Sequence, residues 1–474
     1  MILHFDGLNF MSHVCSHFSR ASRSFCSCFV SLVLWISLYR RLSSAKRRTS
    51  DCYRKIISFA YPTVKERLPV ILAKIADSLF RNREKIKSHY KEDIGDELKS
   101  ITGHCSKLRN EVQTNKVVIP LEDNRADTEI WNQYLKDVTD KDGSPPSWFK
   151  SPWLYMECYM YRRIQESVEK CKILHNFDVF GEQKEKSFND SQYATGLLMM
   201  HLLETQQKIS DNPDCLKDSF DQFIKVCLWG NKCDLSISGG EDNAQKSSPL
   251  EQLRTLEPNI LIDDSDKVLI HLLTRKCERI DIILDNAGFE LVSDLCFAEF
   301  LLSAGLCSSI HFHAKSFPWF VSDVTQTDFD WTLSMFGQIN HIAMSIFGNL
   351  WKERLDNGTW TFQIHDFWTM PFDYSQMKIY APDLYKTLQK SHMIFFKGDL
   401  NYRKLLGDLQ WASTDAFEPC LRGFHPAPLC ILRTSKCDVL VGLPEGKAEE
   451  IKAIDKDWMI NGNWAVINAC FKSD

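Results

Sequence analysis

The chain has 474 residues, 44% hydrophobic and 25% charged, with 57 Lys and Arg set against 62 Asp and Glu for a formal net charge of -5. A sequence of this size and balance builds a large core and excludes general disorder; its acids and bases are interspersed, so it lacks the basic stripe that nucleic acid requires, and no nucleic-acid partner is expected. The 17 cysteines are scattered singly without a CxxC pair, which reads as reduced thiols in a cytosol-like compartment and disfavours both a disulfide framework and structural zinc.

Residues 1–57 differ from the rest. No acid occurs between Asp6 and Asp51, while Arg20, Arg23, Arg40, Arg41, Lys46, Arg47 and Arg48 supply bases. The apolar segment 24–39, SFCSCFVSLVLWISLY, falls short of the roughly 20 residues that span a bilayer. Three readings stay open: a transit peptide, a weak signal anchor, or an extension with no role in the mature fold, the last being preferred. The expected location is the cytoplasm, with the nucleus as an alternative and residues 1–57 as a mitochondrial or membrane address if they act as one. A monomer that does not engage membranes is expected.

From Ser58 the text becomes helical. In PVILAKIADSLF, Ile71, Leu72, Ile75 and Leu79 follow helical spacing behind Pro69, and the same period recurs over Trp153–Val168 and Tyr193–Leu203. Polar runs at KDGSPPS and NDSQ read as loops. A Gly-, Ser- and charge-rich break at 236–249 ends this region, and Ser248, Pro249 and Glu251 mark a new helix start. The expected organisation is an extension over 1–57, a helical domain over 58–245 and an α/β domain over 246–474. In the last, the strand-like runs IDIIL (280–284), IHFHA (310–314), HMIFFK (392–397), CILR (430–433) and DVLVGL (438–443) alternate with helices, as in a mostly parallel sheet.

Ligands of such sheets gather at the carboxyl ends of the strands, where DNAG (285–288) lies. Asp285 and Asn286 serve one site only if the chain leaves strand geometry there, which Gly288 permits. FPWFVSD brings Asp323 to the end of the following strand. Two carboxylates and an amide oxygen suit a hard divalent cation; the competing reading is that Asp285 or Asn286 caps the next helix. In FFKGDLNYRKLLGD (395–408) a strand again runs into Gly and a helix start, which offers backbone N–H groups to an anion, with Arg403 and Lys404 adding charge and Asp399 positioned for a hydroxyl or a proton. A solvated helix face is the alternative. RTSK (433–436) supplies Arg433 and Lys436, as site cations or as charges flanking an edge strand. Glu157, Arg162, Arg163, Asn231 and Asp234 either reach the site from the helical side or knit the two parts together. His425 reads as structural.

The combination IWNQYL (130–135), SPWLYMECYMYRRI (151–164), LWGNKCDLS (228–236), LDNAGFELVSDL (284–295), PWFVSD (318–323), FKGDLNYRKL (396–405) and GFHPAPLCILRTSK (423–436) resembles the metal-dependent damage-control phosphatases, in order, from residue 58 to about 445. RTxK marks the subfamily acting on sugar phosphates, which is also described as a methyltransferase of acidic residues. The resemblance implies a helical N-terminal domain packed on a Rossmann-like α/β domain. It implies Asp285, Asn286 and Asp323 as metal ligands, Asp285 and Asp323 being catalytic. Substrate would be bound by Asp285, Asn286, Asp399, Leu400, Asn401, Tyr402, Arg403 and Lys436. The implied cofactor is Mn²⁺, with Co²⁺, Ni²⁺ or Mg²⁺ as substitutes, and the implied substrates are small phosphorylated sugars such as fructose 1-phosphate and fructose 6-phosphate. The alternative activity is an S-adenosylmethionine-dependent methyl transfer to protein glutamate, with a protein partner as substrate and Glu290 and Asp323 as the cofactor residues. The only paired glycines, Gly239 and Gly240, lie in the polar break and not after a strand, which favours the phosphatase. The tail NGNWAVINACFKSD departs from the family pattern.

Overall fold

The computed structural model describes residues 60–238 and 249–473. The segments 1–59 and 239–248, including the apolar run 24–39, most of the polar break and the N-cap expected at Ser248, lie outside the described residues. The first half is helical: α1 (Leu68–Tyr90), α2 (Gly95–Gln113), α3 (Thr128–Asp142), α4 (Trp153–Glu169), α5 (Gly181–Asp190), α6 (Gln192–Asp211) and α7 (Leu216–Ser238). Helix α1 carries Pro69 in its first turn, buries Leu72, Ile75 and Leu79, and stops where Lys91 turns left-handed with φ 55°. Every residue of α4 from Trp153 to Val168 is buried, so this helix is enclosed on all sides.

The second half supplies strands β1 (Ile260–Asp263), β2 (Arg279–Ile283), β3 (Ser309–Ala314), β4 (Trp360–Ile364), β5 (Met393–Lys397), β6 (Leu429–Thr434) and β7 (Ala465–Cys470). They form one sheet in the order β1-β7-β6-β5-β2-β3-β4. Strands β6, β5, β2, β3 and β4 run parallel, whereas β7 is antiparallel to β6 and carries β1 parallel to itself. The sheet is therefore mostly parallel, as expected. One expected strand is absent: DVLVGL pairs with no strand, because its backbone turns to side chains and loops, with Val441 N donating to Tyr402 Oη at 3.0 Å and Gly442 N to Asp415 O at 2.8 Å. Strands β1, β4 and β7 had no counterpart among the expected elements, and the divergent tail is where β7 forms.

Alternation along the strands divides the core in two. Ile394 and Phe396 of β5 face a core shared with α1, α2 and α4, while Met393 and Phe395 face one shared with α6, α7 and α8 (Phe289–Ser303). Helices thus cover both faces, as parallel sheets demand. From β2 the chain proceeds outward through β3 to β4, then returns to lay β5 and β6 on the opposite side of β2. The direction of winding reverses between β2 and β5, and the carboxyl ends of those two strands define the crevice where such folds bind ligands.

Candidate active site

Strand β2 delivers Asp285 and Asn286 to that crevice by leaving the parallel ladder. Leu284 N still donates to His313 O of β3 at 2.9 Å, but Val324 N then donates to Asp285 O at 2.8 Å and Ala287 N to Ser322 O at 2.7 Å. The resulting antiparallel bridge sets Asn286 opposite Asp323. Gly288, with φ 76° and ψ -142°, starts α8 with no side chain capping it, so neither Asp285 nor Asn286 is spent as a helix cap. The loop carrying Asp323 is itself wound tightly: Phe320 and Val321 are left-handed, with φ 45° and 73°. A β-branched residue in that region is strained, and such strain persists where the surroundings over-determine it.

The side chains there form a buried carboxylate cluster. Asn286 Nδ2 donates to Asp285 Oδ2 and to Glu290 Oε2, both at 2.8 Å, and Ser322 Oγ donates to Asn286 Oδ1. Lys397, the last residue of β5, donates from Nζ to Glu290 Oε1 at 3.0 Å, Asp294 Oδ1 at 2.7 Å and Cys227 O at 2.6 Å. Lys315 Nζ pairs with Asp323 Oδ2 at 3.1 Å, and that buried oxygen has no further hydrogen-bond donor. Burial, reinforced by Glu290 and Asp323, holds the Asp285 carboxyl well above its usual range. Burial likewise raises Asp323, and it raises Asp294 to about 6.

The charge does not balance within the cluster. Lys436 acts on Asp285 as well, from the rim. Counted as ionised, the carboxyl groups of Asp285, Glu290, Asp294 and Asp323 outnumber by two the ammonium groups paired within the cluster, those of Lys315 and Lys397, and the raised Asp285, Asp294 and Asp323 carboxyls express that excess. That is the charge of one divalent cation, and a buried surplus of this kind is costly unless an ion neutralises it. Among the described residues no three His, Cys, Asp or Glu side chains converge closely enough to hold an ion by themselves. The set that fits is a mixed one, Asp285, the amide oxygen of Asn286 and Asp323 Oδ2, all hard oxygen donors.

Across the crevice, α9 (Gly398–Leu406) begins directly after β5. Asp399 Oδ1 accepts from Arg433 Nε at 2.8 Å and from Lys436 N at 3.0 Å, which ties the RTSK segment to the start of this helix. Burial alone would raise Asp399, but Arg433 and Arg403 keep its carboxyl below the usual range. The Lys436 side chain is partly exposed and reaches Asn231 Oδ1 on α7. The other expected substrate residues point inward. Asn401 donates to Lys397 O at 2.7 Å and accepts from Tyr374 Oη. Arg433 lies over the Tyr402 ring at 4.1 Å, and Leu400 is buried. Arg403 spends its guanidinium on Asp408, at 3.0 and 3.2 Å, and on Glu157 of α4 at 3.0 Å, above the Trp153 ring. Lys404 turns to the carbonyls of Trp368 and Met370.

The structure therefore assembles Asp285, Asn286, Asp323 and Glu290 into one cluster, with Asp399 and Lys436 linked across the crevice, and makes Arg403 a tie between the helical part and the sheet. Glu157 shares that role, whereas Arg162 pairs with Asp123 and Asp127 inside the helical part. Arg163 likewise stays there, with Glu166 and Glu111 as its partners. Sequence reasoning missed Lys315 and Lys397. The signal was present: each is a charged residue at the carboxyl end of a strand whose neighbours are otherwise buried, a position that faces ligand in sheets of this kind.

Comparison with known proteins gives a consistent assignment. Residues 63–451 match the family described as "Damage-control phosphatase ARMT1-like domain". The chain is similar to the proteins named "Damage-control phosphatase ARMT1" of Danio rerio, 50% identical over 421 residues covering 86% of this chain and 94% of that one, and of Homo sapiens, 45% identical over 421 residues covering 86% and 95%. A crystal structure of a DUF89 family protein from Pyrococcus horikoshii is a looser likeness, 14% identical with a TM-score of 0.37, covering 79% of this chain and 98% of that one.

Proposed function

The chain belongs to the ARMT1-like damage-control phosphatase family and is a phosphatase, and from that premise we propose that it hydrolyses small sugar phosphates such as fructose 1-phosphate and fructose 6-phosphate, with one divalent cation, Mn²⁺ or in its place Co²⁺, Ni²⁺ or Mg²⁺. The observation that carries this reading is the excess of buried carboxyl groups over paired ammonium groups at the crevice between β2 and β5, which raises Asp285 and Asp323. A bound cation would supply charge neutralisation to a phosphoryl group whose own oxygens repel a nucleophile.

The chain's own groups do the rest. Asp285, Asn286 and Asp323 would hold the ion, and the amide of Asn286 is fixed between the carboxylates of Asp285 and Glu290. Lys436 approaches from the rim as the cation that meets the phosphoryl oxygens. The first amides of α9 lack partners within the helix and face the same anion. Asp399, whose Oδ1 is held by Arg433 and Lys436, keeps Oδ2 as the acceptor for a sugar hydroxyl. Hydrolysis adds water oxygen to phosphorus, breaks the ester P–O bond, and leaves the proton on the sugar oxygen.

Methyl transfer from S-adenosylmethionine is not favoured. Glu290 has both oxygens occupied, by Asn286 and Lys397, and the printed names of the relatives are those of phosphatases. We place the enzyme in the cytoplasm as a monomer. The test is a screen of the full chain against phosphorylated sugars with each of the four ions: metal-dependent release of phosphate supports the reading, and uniform inactivity with every ion rejects it.

A further inference from the structure

Three lysines are buried around the carboxylate cluster, and their donors are not equally employed. Lys397 Nζ has three acceptors, at 2.6, 2.7 and 3.0 Å, which is the full capacity of an ammonium group. Lys404 Nζ has two backbone carbonyls, at 2.8 and 3.2 Å. Lys315 is 1% exposed, yet it has only two partners and both are long, the Asp323 carboxylate at 3.1 Å and Leu284 O at 3.3 Å. A buried ammonium with unused donors is expensive unless something else meets them.

The backbone of Lys315 is fixed, since its N–H donates to Val324 O at 3.0 Å, next to Asp323, so the side chain rises from the same crevice as the cluster. It is also close enough to Asp285 to oppose the rise in that carboxyl.

We propose that Lys315 is a catalytic residue that binds the phosphoryl oxygens of the substrate, waiting on Asp323 until the cation takes that oxygen. Two positive charges contend for Asp323 Oδ2. With a divalent ion on that oxygen, the ammonium would have no carboxylate partner, and its donors would be open to the oxygens of an incoming phosphate. Lys397 has no such freedom, because its acceptors are all internal.

The inference rests on the cation reading above, and it predicts effects of opposite sign on ion and phosphate. In Lys315→Met, Mn²⁺ affinity measured by calorimetry is unchanged or several-fold tighter, because the competing charge is gone. The kcat/KM for sugar phosphates falls by roughly 100- to 1,000-fold, and inhibition by inorganic phosphate weakens by about tenfold or more. Lys315→Gln carries the same readouts if the methionine variant does not fold. A loss of Mn²⁺ affinity in either variant would make Lys315 a positioning residue for Asp323, and a kcat/KM close to that of the unaltered enzyme would remove it from the chemistry; both overturn the proposal. Failure of the unaltered chain to bind any divalent ion would instead overturn the cation reading.

Discussion

A Cβ at position 398 would stand 1.8 Å from Asp285 Oδ2, so the end of β5 approaches the end of β2 as closely as a glycine hydrogen allows. Gly398 also has φ +84°, a conformation that costs an L-residue about 1–2 kcal/mol. Gly398→Ala is expected to lower stability by about that amount and to displace Asp285. A displacement of that order near the chemistry costs kcat/KM roughly 100-fold. Thermal unfolding and sugar phosphate hydrolysis read the two effects separately; hydrolysis at the original rate would mean that the position of Asp285 is unimportant.

The placement of DNAG and FVSD was legible before the fold. DNAG follows β2 directly and FVSD comes on the loop after β3, both of which read as strands, and β2 and β3 are neighbours, as the convergence of Asp285 and Asp323 requires. The helix-cap alternative could not be dismissed from sequence, because Asp and Asn before a helix usually cap it; here the chain turns at Gly288 first. The unpaired DVLVGL was misread because a short apolar run has the same text whether it joins a ladder or packs Val439, Leu440 and Val441 into the core as coil. Strands β1 and β4 are half-buried edges with mixed polarity, so their period is weak. The inward turn of Arg403 depends on Glu157, 246 residues away, and no local pattern records such a pairing.

Glu290 and Lys397 should govern ion affinity without touching the ion. Glu290 holds the amide of Asn286, and Lys397 holds Glu290. Outer partners of metal ligands typically contribute 10- to 100-fold in affinity. Glu290→Gln is expected to weaken Mn²⁺ binding by about 10-fold, and calorimetry on this variant beside Lys397→Met checks it. Equal affinities in all three proteins would show that Asn286 needs no orientation.

Lys436 and Arg403 should behave as different kinds of residue. Lys436→Ala is expected to keep fold and ion binding while lowering kcat/KM by about 2–4 kcal/mol, the range for a lost charged transition-state contact. Arg403→Ala leaves Asp408 without its cation and Glu157 with only the longer contact to Arg67, at 3.5 Å, and breaking a buried pair in this way costs about 3–5 kcal/mol of stability. Urea unfolding of the two variants separates them.

The helical part carries its own acid sensitivity. Burial alone would raise the Asp123 carboxyl, but Arg162 brings it down to about 2. The unfolded value is about 3.9, so the folded state holds fewer protons between them, and the stability Asp123 contributes is present above about pH 4 and lost as pH falls towards 2. Arg162→Met should destabilise by about 3–5 kcal/mol at pH 7, with a gap to the unaltered protein that narrows at pH 3. Urea midpoints at both pH values measure it, and a gap that stays constant would remove the Arg162–Asp123 pair from the account.

The central claim is that Asp285, Asn286 and Asp323 hold the ion on which hydrolysis depends. Its most direct test is calorimetric titration of Mn²⁺ into the unaltered chain and into Asp285→Ala, with fructose phosphate hydrolysis measured on the same samples. A single Mn²⁺ per chain and metal-dependent hydrolysis are expected in the first, and neither in the second. Asp285→Ala protein that kept its Mn²⁺ isotherm and its rate would contradict it.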